Sequence, residues 1–365
     1  MEAILPAEPL QIRSQMGDYD VFPTQMDDPV YLEALRSARA ALVDRRVWEL
    51  YESHLAPLIP ADRLILQDVN EDIKTADICL SYCRRMLEMD FKRGETFLAV
   101  GGGVIQDLAT FTASILYRGI PWIYVPTTLL AQADSCIGGK SSLNIDQWKN
   151  QLGNFYPPRQ IYILSQYLPT LTDADIRSGL GEVLKVHLLS GLENVEVIET
   201  DFPMVRTSDK VMAKVIRRAL EIKAGIIQQD EFDTGLRLSM NYGHTFGHAL
   251  EAASNFKIPH GIAVAFGTDM ANHMAMIMER ISLPDYQRMN SLLTQNLSPD
   301  DWHPIDKEQF LDALRHDKKN RPGEYCFILP ASLGAVERVF VPMKPELESQ
   351  LVDYLDQVQQ WLEAS

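Results

Sequence analysis

The sequence predicts an α/β domain with a wound parallel sheet, followed by an all-helical domain. Strand-like apolar runs alternate with helical segments through the first half of the chain, which is the pattern of a parallel sheet covered by helices. Long helical patterns dominate from about residue 172 onward. A length of 365 residues also exceeds what one hydrophobic core usually fills. We therefore expect domains at 1–170 and 171–365.

In the first domain, the apolar run 96–100 ends at three glycines and predicts a strand buried on both faces. The turn-rich segment 1–36 predicts a short strand or two. The other predicted strands are 41–43, 63–66 and 122–126, and the predicted helices are 47–55, 74–89 and 105–116. In the second domain, helical spacing predicts helices at 173–189, 208–229, 239–254, 261–280 and 346–364.

The charge balance excludes two classes of partner. With 34 Lys+Arg against 50 Asp+Glu, the formal net charge is −16, and an acidic surface repels nucleic-acid phosphates and anionic lipid. We therefore expect neither nucleic-acid nor membrane binding. Any phosphate must therefore be held in a local basic pocket. The candidates for this pocket are the cations without an evident structural role: Arg118, Lys185, Lys223, Arg237 and the pair Lys318 and Lys319.

The cysteines and the first residues indicate a cytoplasmic protein. No apolar run approaches the roughly 20 residues that a bilayer crossing needs, and residues 1–8 do not resemble a secretory signal. Four scattered cysteines predict reduced thiols rather than a disulfide framework: Cys79, Cys83, Cys136 and Cys326.

Two glycine-containing loops follow predicted strands. In the first, residues 101–103 are glycines between a buried strand and a helix, where backbone N–H groups can approach a pyrophosphate. Their spacing is not that of the usual dinucleotide motif, so a plain tight turn is the alternative. In the second, Thr127 and Thr128 precede the segment 134–140, which suits an anion site. A solvated loop is the alternative there.

A group of histidines raises the question of a metal site. His244 and His248 are one helical turn apart and project from the same face. His260 follows a break at a proline, and Glu182 lies on an earlier helix. Imidazoles with one carboxylate suit zinc in a catalytic site. A solvated or buried histidine pair is the alternative.

In their order along the chain, these segments resemble the sugar-phosphate cyclases, and within them the 3-dehydroquinate synthases. The resemblance covers roughly residues 60–335. It rests most visibly on VPTTLLAQ at 125–132, GLGEVLK at 179–185 and NYGHTFGH at 241–248. Further matches lie at 71–74, 101–107, 117–119, 134–140, 149–150, 235–237, 260–261 and 317–319.

The resemblance implies roles for three groups of residues. A divalent metal, zinc or cobalt, would be held by Glu182, His244 and His260. NAD would be bound by Glu71, Lys74, Gly101, Gly102, Gly103, Asp107, Thr127, Thr128, Lys140, Lys149, Tyr167 and Thr170. The substrate would contact Asp134, Lys140, Asn150, Lys185, Lys223, Arg237, Asn241, His248 and one lysine of the pair Lys318 and Lys319. Arg118 would reach a neighbouring subunit's site, which implies a homodimer.

The implied reaction is the cyclisation of a seven-carbon keto-acid sugar phosphate in the shikimate pathway of aromatic amino acid biosynthesis. It proceeds by oxidation, phosphate elimination, reduction and intramolecular aldol addition, so the enzyme is a carbon–oxygen lyase. The planar fork of Arg237 suits the substrate carboxylate.

Three departures from the family pattern leave other substrates open. Gln106 stands where the family usually has glycine, and residues 141–143 and Met240 also differ from the common pattern. A related cyclase acting on sedoheptulose 7-phosphate or a similar sugar phosphate is therefore an alternative. An NAD-dependent metal polyol dehydrogenase and a non-catalytic scaffold are two more.

Overall fold

The computed structural model describes residues 8–146 and 148–364, which form two compact units. The first unit contains the described residues up to Leu171 together with Lys223–Phe232. The second contains Thr172–Ile222 and the described residues from Asp233 onward. Residues 1–7, on which the prediction about a secretory signal depends, lie outside the described residues.

The first unit is built on a mostly parallel sheet. Its strands are β1 (Leu10–Ile12), β2 (Tyr19–Pro23), β3 (Ala40–Asp44), β4 (Leu64–Gln67), β5 (Phe97–Gly101), β6 (Trp122–Pro126), β7 (Leu143–Ile145), β8 (Trp148–Leu152) and β9 (Gln160–Ile163). β7 and β8 form a separate antiparallel hairpin, and the other seven form one sheet in the order β1-β2-β9-β6-β5-β3-β4. Only the β1–β2 pair of this sheet is antiparallel.

The strand order places a ligand-binding position at one edge of the sheet. Five neighbouring strands of this sheet are β4, β3, β5, β6 and β9. Numbered by their order along the chain, they have the doubly wound order 2-1-3-4-5, and the direction of winding reverses between β3 and β5. Ligands of such sheets bind outside the carboxyl ends of the strands at this reversal. The glycine triplet follows β5 and therefore lies there.

The helices that lie wholly within the described part of the first unit are α1 (Pro29–Ser37), α2 (Arg45–Leu55), α3 (Ala76–Glu88) and α4 (Gly103–Ile115). Asp28 caps α1 and Thr75 caps α3, each accepting hydrogen bonds from backbone N–H groups of the first turn. Every residue of β5 and β6 is buried, which explains their continuous apolar sequences.

The helices that follow are α5 (Asp173–Leu188), α6 (Leu192–Asp201), α7 (Asp209–Ile227), α8 (His244–Ala253), α9 (His260–Ile277), α10 (Leu283–Thr294), α11 (Lys307–Arg315) and α12 (Pro345–Ala364). From Lys223 onward, the last turn of α7 counts with the first unit. α9 is buried almost all round, from Gly261 to Asn272, and is the central helix of the second unit.

The predicted fold class is confirmed, with one correction to the second domain. That domain is helical, but it is not all-helical, because β10 (Glu324–Ser332) and β11 (Ala335–Pro342) form an antiparallel hairpin within it. The strands and helices predicted from the sequence are present with shifted ends. The largest shift is at 239–254, where a 3₁₀ segment, Leu236–Asn241, precedes α8.

None of the described helices combines the length and apolarity that a membrane crossing requires. The four cysteines are free and buried.

Candidate functional site

Two helices of the second unit, α5 and α9, approach each other unusually closely. A Cβ on Gly181 of α5 would collide with the carbonyl oxygen of Gly261 on α9, and a Cβ on Gly261 would collide with that of Ser178 on α5. Each glycine is the sequence neighbour of a predicted metal ligand, Glu182 in α5 and His260 in α9. The close helix packing therefore brings these two ligands side by side.

The three predicted metal ligands converge. His244 and His260 are the first residues of α8 and α9. The Oε1 atom of Glu182 lies 3.6 Å from Nε2 of His244 and 3.4 Å from Nε2 of His260. Two ligands of a tetrahedral zinc ion at about 2.0–2.1 Å are about 3.3 Å apart. The donor set of one carboxylate and two imidazoles therefore fits a divalent metal that keeps a coordination position open.

Both imidazoles are held in the tautomer that a metal needs. Nδ1 of His244 lies 3.2 Å from the carbonyl oxygen of Tyr242, and Nδ1 of His260 lies 3.3 Å from Oε2 of Glu251. Carbonyl and carboxylate oxygens accept hydrogen bonds, so each Nδ1 carries a proton, and Nε2 is the nitrogen that would bind a metal in its deprotonated form. Glu251 is not among the residues predicted from the sequence, where its only signal is its position three residues after His248 on α8.

The local charges favour a cation at this position. Burial opposes the ionisation of Glu182, but Lys185, His244 and His260 hold the pKa of its carboxyl group well below the usual range. Desolvation opposes the protonation of His260, but hydrogen bonds to Glu182 and Glu251 raise its pKa to about 10. The carboxylates of Glu182 and Glu251 thus stabilise positive charge at this position, and the same negative potential would stabilise a metal ion.

The structure distinguishes Lys318 from Lys319. Nζ of Lys319 donates to Oγ1 of Thr245 at 2.9 Å and lies 3.1 Å from Oδ2 of Asp317. Thr245 follows His244 in the first turn of α8, whereas Lys318 is exposed. Of the two lysines, Lys319 is therefore the one held beside the predicted metal ligands.

Three more predicted site residues lie around the start of α8. Arg237 is buried, and with Asn241 it belongs to the 3₁₀ segment that leads into α8. Nδ2 of Asn241 donates to the carbonyl oxygen of Leu238 at 3.1 Å. The ring of His248 lies one turn into the helix, with its centroid 5.4 Å from that of His244.

In the first unit, the buried Lys74 is the centre of a polar network. Its Nζ lies 2.9 Å from Oδ2 of Asp107, 3.2 Å from Oε1 of Glu71 and 3.3 Å from Oδ1 of Asn150. The hydroxyl of Ser142 also donates to Oδ1 of Asn150, at 2.6 Å. Burial raises the pKa of Asp107 to about 6, although Lys74 opposes this shift. Predicted cofactor residues and a predicted substrate residue therefore share one network.

The glycine triplet adjoins the two threonines. The hydroxyl of Tyr124 donates to the carbonyl oxygens of Gly101 and Gly102, both at 3.1 Å, and the N–H of Thr127 donates to that of Gly101 at 3.0 Å. A Cβ on Gly102 would lie 2.9 Å from Cγ2 of Thr128, so this approach requires glycine. Gly103 begins α4. The first and second loops thus meet at the carboxyl ends of β5 and β6.

Three predicted cations of the first unit lie near this edge or on the hairpin. Nζ of Lys223 donates to the carbonyl oxygen of Asp134 at 2.6 Å and lies 3.1 Å from its Oδ1. Nζ of Lys140 lies 5.9 Å above the ring of Phe155. Lys149 belongs to β8, beside Asn150.

Three predicted residues are placed elsewhere. The side chain of Tyr167 is buried in the core, and its hydroxyl lies 3.2 Å from that of Tyr31. Oγ1 of Thr170 lies 3.1 Å from the hydroxyl of Tyr51. Arg118 is exposed and has a left-handed backbone, with φ at +64°.

Comparisons with known proteins point to one family. The models described as 3-dehydroquinate synthase N-terminal and C-terminal match residues 64–178 and 179–320. The 3-dehydroquinate synthase of Campylobacter fetus subsp. fetus is 33% identical over 314 residues, covering 84% of this chain and 90% of the relative. That of Alkaliphilus metalliredigens is 39% identical over 272 residues, covering 74% and 76%.

Solved structures show the same fold. A 2-epi-5-epi-valiolone synthase from Streptomyces hygroscopicus subsp. jinggangensis, with NAD⁺ and Zn²⁺ bound, is 26% identical with a TM-score of 0.81, over 96% of this chain and 99% of that one. A 2-deoxy-scyllo-inosose synthase complexed with carbaglucose-6-phosphate, NAD⁺ and Co²⁺ is 22% identical with a TM-score of 0.84, over 94% and 99%. Both parts of the family model match in order over most of the fold, and the chain belongs to the 3-dehydroquinate synthase family.

Proposed function

We propose that the chain is an NAD- and metal-dependent sugar-phosphate cyclase of the 3-dehydroquinate synthase type. The observation that carries this proposal is the convergence of Glu182, His244 and His260 within 4.8 Å. Named relatives at 33–39% identity support the same activity. In this proposal, residues 1–170 bind NAD, and residues 171–365 bind the metal and the substrate.

The chain's own residues would bind and orient the substrate. When bound, NAD supplies reversible hydride transfer, and the divalent metal supplies Lewis-acid polarisation of substrate oxygens. Arg237, Lys319 and His248 surround the start of α8 with donors suited to carboxylate and phosphate oxygens. Fixed donors of this kind lower a barrier by placing the reacting atoms.

Asp134 and Lys223 form the second group of substrate residues in this proposal. Lys223 is 6% exposed, so its charge acts in a poorly solvated environment, and it holds the backbone and carboxylate of Asp134 together. In the first unit, the glycine turn before α4 offers backbone N–H groups to the pyrophosphate of NAD. The network of Lys74 and Asp107 provides polar groups for the rest of that cofactor.

The substrate we propose is the seven-carbon keto-acid sugar phosphate. Arg237 is 3% exposed and lies in the 3₁₀ segment that leads into α8. Its planar guanidinium group matches the bidentate geometry of a substrate carboxylate. Sedoheptulose 7-phosphate lacks this carboxylate and is the competing substrate.

Phosphate release tests the proposal. The purified protein is incubated with NAD and zinc or cobalt, and separately with the keto-acid phosphate or sedoheptulose 7-phosphate. We expect inorganic phosphate from the keto acid with no net NADH, since the reaction oxidises and then reduces the same substrate. NADH accumulating with a polyol would instead identify a dehydrogenase, and no phosphate release from either substrate would contradict the cyclase assignment.

We also propose that the protein is a cytoplasmic homodimer. The exposed Arg118, on its left-handed backbone, supports the assignment of this residue to a neighbouring subunit's site. Four buried free thiols suit a reducing compartment. Analytical ultracentrifugation tests the dimer, and mixing inactive Arg118→Ala chains with inactive His244→Ala chains should restore part of the activity.

A further inference from the structure

The side chain of Gln106 makes two hydrogen bonds to Ser135. It lies in the first turn of α4 and is 4% exposed. Its Nε2 donates to the carbonyl oxygen of Ser135 at 2.6 Å, and the hydroxyl of Ser135 donates to its Oε1 at 2.7 Å. Because a carbonyl oxygen can only accept, the donor and acceptor roles in this pair are fixed.

Ser135 is the last residue of a segment with an unusual backbone conformation. Residues Ala131–Ser135 form a π-helical turn, in which the N–H of Cys136 donates to the carbonyl oxygen of Ala131 at 3.1 Å. Such turns are rare and are frequently found at functional sites. The last carbonyl groups of a helix have no partners within it, so the carbonyl groups of Asp134 and Ser135 need donors from elsewhere.

Two side chains supply those donors. Nζ of Lys223 donates to the carbonyl oxygen of Asp134, and Nε2 of Gln106 donates to that of Ser135. Lys223 also pairs with the carboxylate of Asp134. The direction of this carboxylate therefore depends on two consecutive peptide groups, one held by Lys223 and the other by Gln106.

We propose that Gln106 is a positioning residue for Asp134. By holding the carbonyl and hydroxyl of Ser135, it fixes the end of the π-helical turn and so the direction in which Asp134 meets the substrate. It also connects that turn to the first turn of α4, directly after the glycine triplet. A glycine at position 106 would provide neither hydrogen bond. This inference rests on the proposed function for the part played by Asp134.

The test compares Gln106→Met with wild type in the zinc- and NAD-loaded enzyme. Methionine keeps the volume of the side chain and removes both hydrogen bonds. We expect kcat for phosphate release to fall about tenfold or more, while the KM for substrate and the Kd for NAD change less than about threefold. Ser135→Ala should lose part of the wild-type kcat. Ser135→Thr, which keeps the hydroxyl, should retain most of the wild-type kcat. Gln309→Met, at an exposed position of α11, is the matched control.

A second measurement does not depend on activity. Hydrogen exchange at residues 131–136 should become about tenfold faster in Gln106→Met and stay unchanged in Gln309→Met. Unchanged kcat together with unchanged exchange in Gln106→Met would overturn the inference. If the wild-type protein released no phosphate, the proposed function would fail instead, and the exchange rates alone would decide whether Gln106 holds the turn.

Discussion

Nζ of Lys185 lies 2.5 Å from Oε2 of Glu182, one helical turn away within α5, and both side chains are 2% exposed. The other carboxylate oxygen, Oε1, is the one near His244 and His260. Lys185 therefore pairs with one oxygen of the Glu182 carboxylate, Oε2, while the other oxygen, Oε1, faces the predicted metal position. Its contact with Glu182 suggests that it stabilises the ligand set, whereas the resemblance implied a substrate contact.

Replacing Lys185 should destabilise the metal-free protein more than the zinc-bound protein. Removing one partner of a buried ion pair typically costs about 3–5 kcal/mol, because the other charge remains buried. Lys185→Met should lower the free energy of unfolding by about that amount without zinc, and by clearly less with zinc, whose charge also compensates Glu182. Urea unfolding with and without zinc measures both values. Equal losses under the two conditions would separate Lys185 from the metal site.

Glu251→Gln should weaken metal binding. The carboxylate orients His260 and increases its basicity, and loss of such a partner typically costs about 10–100-fold in metal affinity. Competition with a chromophoric chelator measures the zinc Kd. Glu308→Gln, at an exposed position of α11, is the control and should keep the wild-type Kd. A wild-type Kd in Glu251→Gln would show that the contact with His260 does not matter for the metal.

Arg237→Ala should act selectively on the carboxylate-bearing substrate. Hydrogen bonds to a charged group contribute about 1.5–3 kcal/mol each, so the loss of a bidentate pair should lower kcat/KM for the keto acid by at least about 100-fold. With sedoheptulose 7-phosphate, any kcat/KM should change less than about tenfold. Similar losses on both substrates would mean that Arg237 does not bind the carboxylate.

His187 should make the protein less stable in acid. Its Nδ1–H donates to the carbonyl oxygen of Val183 at 2.8 Å, and burial lowers its pKa from 6.5 to about 4. The unfolded chain therefore takes up a proton at higher pH than the folded protein does. The stabilisation is complete above pH 6.5 and is lost as the pH falls from 6.5 through about 4.

That shift corresponds to about 3 kcal/mol, at roughly 1.4 kcal/mol for each pKa unit. His187→Gln removes the titrating group, so its free energy of unfolding should fall about 3 kcal/mol less than that of wild type between pH 7 and pH 4. Urea unfolding at both pH values measures this difference. An unchanged dependence on pH would assign the acid sensitivity to other groups.

The sequence predicted the strands and helices whose own residues carry a clear apolar pattern. β5 and β6 are fully buried, so their apolar runs are unbroken. The hairpin that corrects the all-helical prediction was missed although β10 contains a buried apolar run, because its partner strand β11 is half-exposed along most of its length and carries charged residues. The short helices α1, α6, α10 and α11 were also missed, because much of each is polar.

The contacts within the site depend on packing between distant segments. Glu251 reaches His260 only because α8 and α9 lie against each other, and Lys319 rather than Lys318 contacts Thr245 because of the loop conformation. For Tyr167, packing in the core limits the role that the resemblance implied. The resemblance implied a cofactor contact, but the side chain completes the core beside Tyr31, so only its backbone remains for a ligand.

The central claim is that Glu182, His244 and His260 hold one metal ion, and X-ray absorption of the zinc-loaded protein tests it most directly. We expect one zinc per chain with nitrogen and oxygen neighbours at about 2.0–2.1 Å, a pattern of two imidazoles, and no sulfur ligand. The His244→Ala protein should lose the bound zinc. A zinc–sulfur distance near 2.3 Å, or full zinc content in both His244→Ala and Glu182→Gln, would contradict the account.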